Sequence, residues 1–262
     1  MNLTNVRKYG VQPFKVAVIH GGPGAAGEMA PVARELSKFT GVLEPLQTVA
    51  NLKGQIIELY DTLKNSITTQ VILIGWSWGA WLSILFASEY PLLVKELILV
   101  GSGPFEEKYA ADIVNTRLNR LNEKEKAELK SLQNQMSIAG NNLHNNLLAS
   151  FGQIINKTDS YELIPSQDEI IEFNYEIYHK VWEEASILRQ NGELLNITQN
   201  IRCPVLAIHG DFDPHPSAGV KEPLYAILNN FHFIELKKCG HMPWLERNAR
   251  DEFFKILYDR II

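Results

Sequence analysis

Val71-Ile-Leu-Ile-Gly75-Trp-Ser77-Trp-Gly79 is a short apolar run that breaks into the helix-forming stretch Ala80–Glu89. A serine on such a sharp strand-to-helix turn is held away from the sheet with its hydroxyl exposed. Glycines at 75 and 79 keep side chains out of the crossing. The backbone N–H of Trp78 then falls at a helix N-terminus, where developing negative charge is stabilised. The stretch predicts Ser77 as a nucleophile and Trp78 as an oxyanion donor, with an ordinary tight turn as the alternative.

Similar apolar runs bounded by glycine or proline recur at Phe14–His20, Lys95–Gly101, Cys203–His209 and Phe231–Leu236, with a weaker one at Gly41–Leu46. Continuous apolar strands of this kind are those buried on both faces of a parallel sheet. Between them Leu52, Ile56, Leu59 and Leu63 repeat at helical spacing, as do Phe253, Leu257 and Ile261. Strand alternating with helix predicts an α/β layered fold with a mostly parallel sheet of six to seven strands. The alternation stops between about 105 and 195, which predicts a helical cap inserted into a core formed by 1–104 and 196–262. Ile171, Tyr175, Tyr178, Trp182 and Ala185 share one helical face there, expected to pack on the core or line a pocket. The charge run Asn122–Lys130 reads as a solvated helix face.

Composition narrows the function class. The 262 residues carry a net charge of −5, 45% hydrophobic and 21% charged residues, so a chain-long disordered, collagenous or coiled-coil structure is excluded. Clustered basic charge suited to nucleic acid is absent. No apolar run approaches a membrane span, and the first fourteen residues lack the apolar segment of a secretory signal. Cys203 and Cys239 fall at opposite ends of neighbouring strands, roughly 20 Å apart at about 3.3 Å per residue, too far for a disulfide. They are expected as free thiols in a cytoplasmic protein.

Three further motifs fall at strand ends on the Ser77 side. His20-Gly-Gly-Pro-Gly24 places two adjacent glycines where a ligand can approach the backbone, and the Gly22 N–H is a candidate second oxyanion donor. A plain glycine turn remains the other reading, and His20 is expected as a loop anchor. His209-Gly-Asp-Phe-Asp213-Pro-His215 supplies a candidate acid, Asp213 in preference to Asp211. Cys239-Gly-His241-Met-Pro-Trp244 supplies a candidate base, His241. The order Ser…Asp…His is that of a nucleophile-elbow hydrolase. His209, Asp211, Asp213 and His215 could be read as metal ligands, but consecutive loop residues rarely converge and no metal-binding spacing supports it. Neither a metal nor an organic cofactor is expected.

With these motifs in order, the chain resembles the α/β-hydrolase superfamily over its whole length. His20-Gly-Gly-Pro-Gly24 with Ser77-Trp-Gly79 looks most like the proline iminopeptidase branch, family S33. That resemblance implies a Ser77–Asp213–His241 triad, an oxyanion hole from Gly22 and Trp78, and a helical cap over the sheet. The chain departs from the branch in having only some thirteen residues before its first clear strand, and Leu43-Glu-Pro-Leu-Gln-Thr48 where the peptidases carry an Asp-Gln-Arg-Gly-like stretch. Glu183 and Glu184 are the candidates for capturing a substrate amino group, with a solvated helix face as the preferred alternative, and Trp76, Trp182 and Trp244 are candidates for lining an apolar pocket, with core filling as the other reading. The expected function is a serine hydrolase acting on a small ester, amide or short peptide. A proline iminopeptidase and a non-catalytic ligand-binding protein are the alternatives.

Overall fold

The computed structural model describes residues 5–138, 141–165 and 170–262. The chain opens with β1 (Val6–Tyr9), β2 (Phe14–Ile19), the two-residue β3 (Ala25–Ala26) and α1 (Ala30–Leu36). It continues through β4 (Gly41–Pro45), α2 (Leu52–Lys64), β5 (Val71–Trp76), α3 (Trp78–Glu89) and β6 (Val94–Val100). Next come α4 (Ile113–Asn119), α5 (Glu123–Ile138), α6 (Asn141–Thr158), β7 (Glu172–Phe173), α7 (Tyr175–Gln190) and α8 (Glu193–Ile197). The chain then returns through β8 (Val205–Gly210), α9 (Ala218–Ile227), β9 (Phe231–Leu236) and α10 (Arg250–Ile261).

Seven strands form one sheet in the order β1-β4-β2-β5-β6-β8-β9. Only β1 runs antiparallel, pairing with β4; the other neighbours are parallel. This is the mostly parallel, helix-covered sheet of seven strands that the alternating runs predict. Alternate residues of each strand enter different cores. Leu73 and Leu99 pack with α2, α3 and α9 on one face, while Ile72, Ile74 and Ile98 pack with α1 and α10 on the other. No helix of the described residues is long and apolar enough to cross a membrane.

Two sequence expectations change. Strand β9 is only partly buried because it closes the sheet edge, so it is not the doubly covered strand its composition implies. Ile171 lies outside the helix that its spacing suggests. Residues 172–173 are extended and pair with Ala25–Ala26. The helix starts at Tyr175, where the Asn174 side chain accepts a hydrogen bond from the Ile177 N–H. The Asn122 run does form a helix start: Asn122 and Glu125 exchange reciprocal backbone-to-side-chain bonds of 3.0 Å, a capping box. Residues 139–140 and 166–169 of the expected 105–195 insertion lie outside the described residues.

Candidate active site

The turn after β5 holds Ser77 at φ 53°, ψ −116°, a region that non-glycine residues enter only when the surroundings impose it. The imposition is visible on both sides. A Cβ on Gly75 would fall 2.2 Å from the Gly79 carbonyl oxygen, and one on Gly79 would fall 2.3 Å from that of Ile19. Strand β5, helix α3 and strand β2 therefore meet backbone to backbone. Ser77 N–H stays bonded to Val100 O at 2.9 Å, so the sheet ladder reaches up to the serine itself. Helix α3 begins at Trp78, with its N-terminal N–H groups beside Ser77.

Asp213 and His241 follow β8 and β9. His241 Nδ1 lies 2.7 Å from Asp213 Oδ2; because a carboxylate only accepts, Nδ1 carries the proton and Nε2 is free to act as a base. Trp76 Nε1 donates to His241 O at 2.8 Å, and His241 N–H donates to Asp159 O at 2.8 Å, fixing the loop at both ends. Gly101, at the end of β6 with φ +50°, supports the pair from beneath. A Cβ there would meet His241 O at 2.9 Å and His241 Nδ1 at 3.0 Å. Burial alone would push the Asp213 carboxyl up. The charges of His241, His215 and His209, with the His215 hydrogen bond, instead hold it well below the usual carboxylate range.

A cavity of about 370 Å³ opens above these groups. Ser77, His241, Gly22, Trp76, Trp78 and Trp182 all line it. Trp182 lies flat on Trp81, centroids 5.8 Å apart with planes at 2°. The hydrogen bonds of His241 go to Asp213, Trp76 and Asp159, and none among the described residues goes to Ser77 Oγ. Such contacts commonly tighten only when substrate binds.

Two proposed lining residues are placed elsewhere. Trp244 is buried against Trp76 and Phe253 and does not line the cavity. Glu183 is exposed, because on a helix it points about 100° away from its cavity-lining neighbour Trp182. Glu184 accepts from the Leu52 N–H at 2.6 Å, serving as a brace to α2. Asp211 likewise turns away and accepts from Cys239 N–H at 3.2 Å. His20 is buried, with Nδ1 on Gly21 O at 2.7 Å, and burial brings its pKa down to about 4.

Sequence reasoning passed over Gly101 and, in the cavity lining, His215, Arg117 and Asp159. His215 stood in view within the Asp213 motif but was weighed only as a metal ligand. Asp213, His215 and His241 do bring ligand-type atoms within 4.8 Å of one another, yet both histidine Nδ1 atoms are turned to Asp213 as donors. Nothing in the local sequence of α4 marks Arg117. Glu28 also lines the cavity, near Gly22, with Oε2 buried and without a hydrogen-bond partner. Burial, with the Glu44 charge adding to it, pushes its pKa up to about 8.

A family model described as the alpha/beta hydrolase fold matches residues 61–247, well over half of the chain. The chain belongs to the α/β-hydrolase fold family. No curated protein sequence matches it. Among solved structures it is similar to VinJ at 15% identity, with 97% of this chain and 93% of that chain covered and a TM-score of 0.71. It is also similar to a serine hydrolase involved in carbazole degradation, CarC, at 17% identity, covering 97% and 92% with a TM-score of 0.62. An esterase from Thermogutta terrifontis, solved with malate bound, aligns at 16% identity over 97% and 92% with a TM-score of 0.61. At these identities the likeness shows the fold; the chemistry has to come from the site.

Proposed function

We propose that this member of the α/β-hydrolase fold family is a serine hydrolase that cleaves a small ester or amide through an acyl-enzyme on Ser77, with residues 105–195 acting as a cap. One observation carries the reading: a serine held in a strained turn faces the same cavity as a histidine whose other nitrogen is bonded to a buried carboxylate. His241 Nε2 removes the Ser77 proton as Oγ attacks the carbonyl carbon. Asp213 keeps the imidazole in its Nδ1–H tautomer and balances the imidazolium that forms. The N–H groups of Gly22 and Trp78 receive the oxyanion, each such donor being worth about 3 kcal/mol. His241 returns its proton to the leaving group, and then activates the water that cleaves the acyl-enzyme. The aromatic wall favours an apolar substrate portion, and the two free cysteines suit a reducing compartment.

A second reading, removal of an N-terminal residue as in the proline iminopeptidase branch, draws on Glu28 rather than Glu183, since Glu28 lines the cavity with an Oε2 that has no hydrogen-bond partner among the described residues. Comparing kcat/KM for a proline arylamide and short-chain aryl esters separates the two. For either reading, a fluorophosphonate is expected to modify Ser77, seen by intact mass and peptide mapping. Ser77→Ala should abolish modification and turnover with Tm nearly unchanged. Wild-type protein left unmodified would favour a ligand-binding role instead.

A further inference from the structure

The triad acid has a second histidine. Asp213 Oδ2 serves His241, while Oδ1 accepts both the His215 backbone N–H at 2.9 Å and His215 Nδ1 at 2.7 Å. The two imidazole rings lie 4.6 Å apart, tilted by 34°. With Nδ1 donating, the lone pair of His215 is on Nε2, and Arg117 Nη2 approaches it at 3.4 Å. Arg117 comes from α4. It is gripped by Asp159, Nε to Oδ1 at 2.8 Å and Nη2 to Oδ2 at 2.5 Å. Asp159 is itself tied to the catalytic loop through the His241 N–H. His209 completes the enclosure, with Nε2 on His215 O at 2.8 Å and 3.6 Å from Asp213 Oδ2.

This arrangement solves a problem that a second histidine would otherwise create. A doubly protonated His215 would neutralise Asp213 and set a cation against the ring that must itself become cationic during the reaction. An N–H of a guanidinium aimed at Nε2 leaves no room for a second proton and selects the tautomer with its hydrogen on Nδ1. Burial, opposed by the Asp213 carboxylate, brings the His215 pKa down to about 4, in keeping with that geometry. The groups facing the ring are Asp213, His209 and His241 from the core and Arg117 with its partner Asp159 from the inserted helices. Arg120, stacked 3.7 Å over Phe212, is the next cation outward.

Resting on the Ser77 acyl-enzyme reading, we propose that His215 is a positioning residue that locks the Asp213 carboxylate so that Oδ2 meets His241, and that Arg117, clamped by Asp159, holds His215 in the tautomer this requires. The helices between 105 and 195 thus help hold the triad in working geometry through Arg117 and Asp159.

The test measures the rate of Ser77 modification by a fluorophosphonate and kcat and KM for a short-chain aryl ester, with Tm of each variant as a check on folding. In His215→Asn the amide nitrogen can occupy the place of Nδ1, and both rates should stay within about threefold of wild type. His215→Leu has no donor. It should lose on the order of 10–100-fold in kcat and in modification rate with KM little changed, the usual scale for a misplaced catalytic group. Arg117→Met should lower the rates in the wild-type background and add little to His215→Leu, since it acts through that ring. His215→Leu within threefold of wild type, or His215→Asn as impaired as His215→Leu at equal Tm, would overturn the proposal. Additive losses in the double variant would remove Arg117 from it. Wild-type protein that is not modified at all would instead sink the acyl-enzyme reading, and the brace with it.

Discussion

Individual atoms decide how tightly the site is built. Gly101 has no side chain because His241 and Asp213 already occupy the space. Gly101→Ala should displace the imidazole by a fraction of an ångström, with kcat falling roughly 100-fold while the circular dichroism spectrum is kept. Glu28 offers a second test, through stability. Its carboxyl is pushed up to about 8 from an ordinary value of 4.5, so between these values the folded state binds more protons than the unfolded chain. Stability conferred by this group therefore falls as pH rises from about 4.5 to 8. Glu28→Gln should match wild type in Tm near pH 4.5 and exceed it increasingly up to pH 8; equal Tm values across that range would show that the carboxyl is not desolvated. Legibility at this scale was uneven. Ser77, Asp213 and His241 could be selected because each follows a readable strand. His215 and Arg117 could not, because their role depends on a contact between segments 98 residues apart.

Strands were legible wherever both faces are buried, since composition then has only one solution. The runs at 14–20, 70–75, 95–101 and 203–209 each gave a strand at or within a residue or two of the expected bounds. The edge strand β1 was not singled out, because four half-buried residues carry no apolar run. Between 105 and 195, helical spacing located α7 but overran its start by four residues. Periodicity cannot register an interruption made by pairing with a distant segment, here β3. Asn174 is the local sign of that stop, and Asn174→Ala should cost about 1 kcal/mol in denaturant unfolding. No measurable cost would mean that the ribbon alone sets the boundary.

Across the whole molecule, stability rests on two apolar layers separated by the sheet. Leu73 is fully buried in one of them, and Leu73→Ala is expected to cost about 3 kcal/mol without changing the ratio of kcat to fluorophosphonate reactivity. Both cysteines are free, and burial pushes the Cys203 thiol up to about 11 and raises that of Cys239 as well. Native protein at pH 8 should therefore resist iodoacetamide and show no change of Tm with reductant, while denatured protein takes up two labels.

The pairing of Ala25–Ala26 with Glu172–Phe173, reinforced by Asn174 N–H on Gly24 O at 2.7 Å, stitches one margin of the proposed cap to the same loop that offers Gly22. In the proposed mechanism, that margin cannot swing like a free flap without dragging the Gly22 N–H, the proposed oxyanion donor, with it. On the acyl-enzyme reading, room for bulkier acyl groups would come from α4 to α6, and a cap transplanted from a relative would function only if it brought a matching stitch.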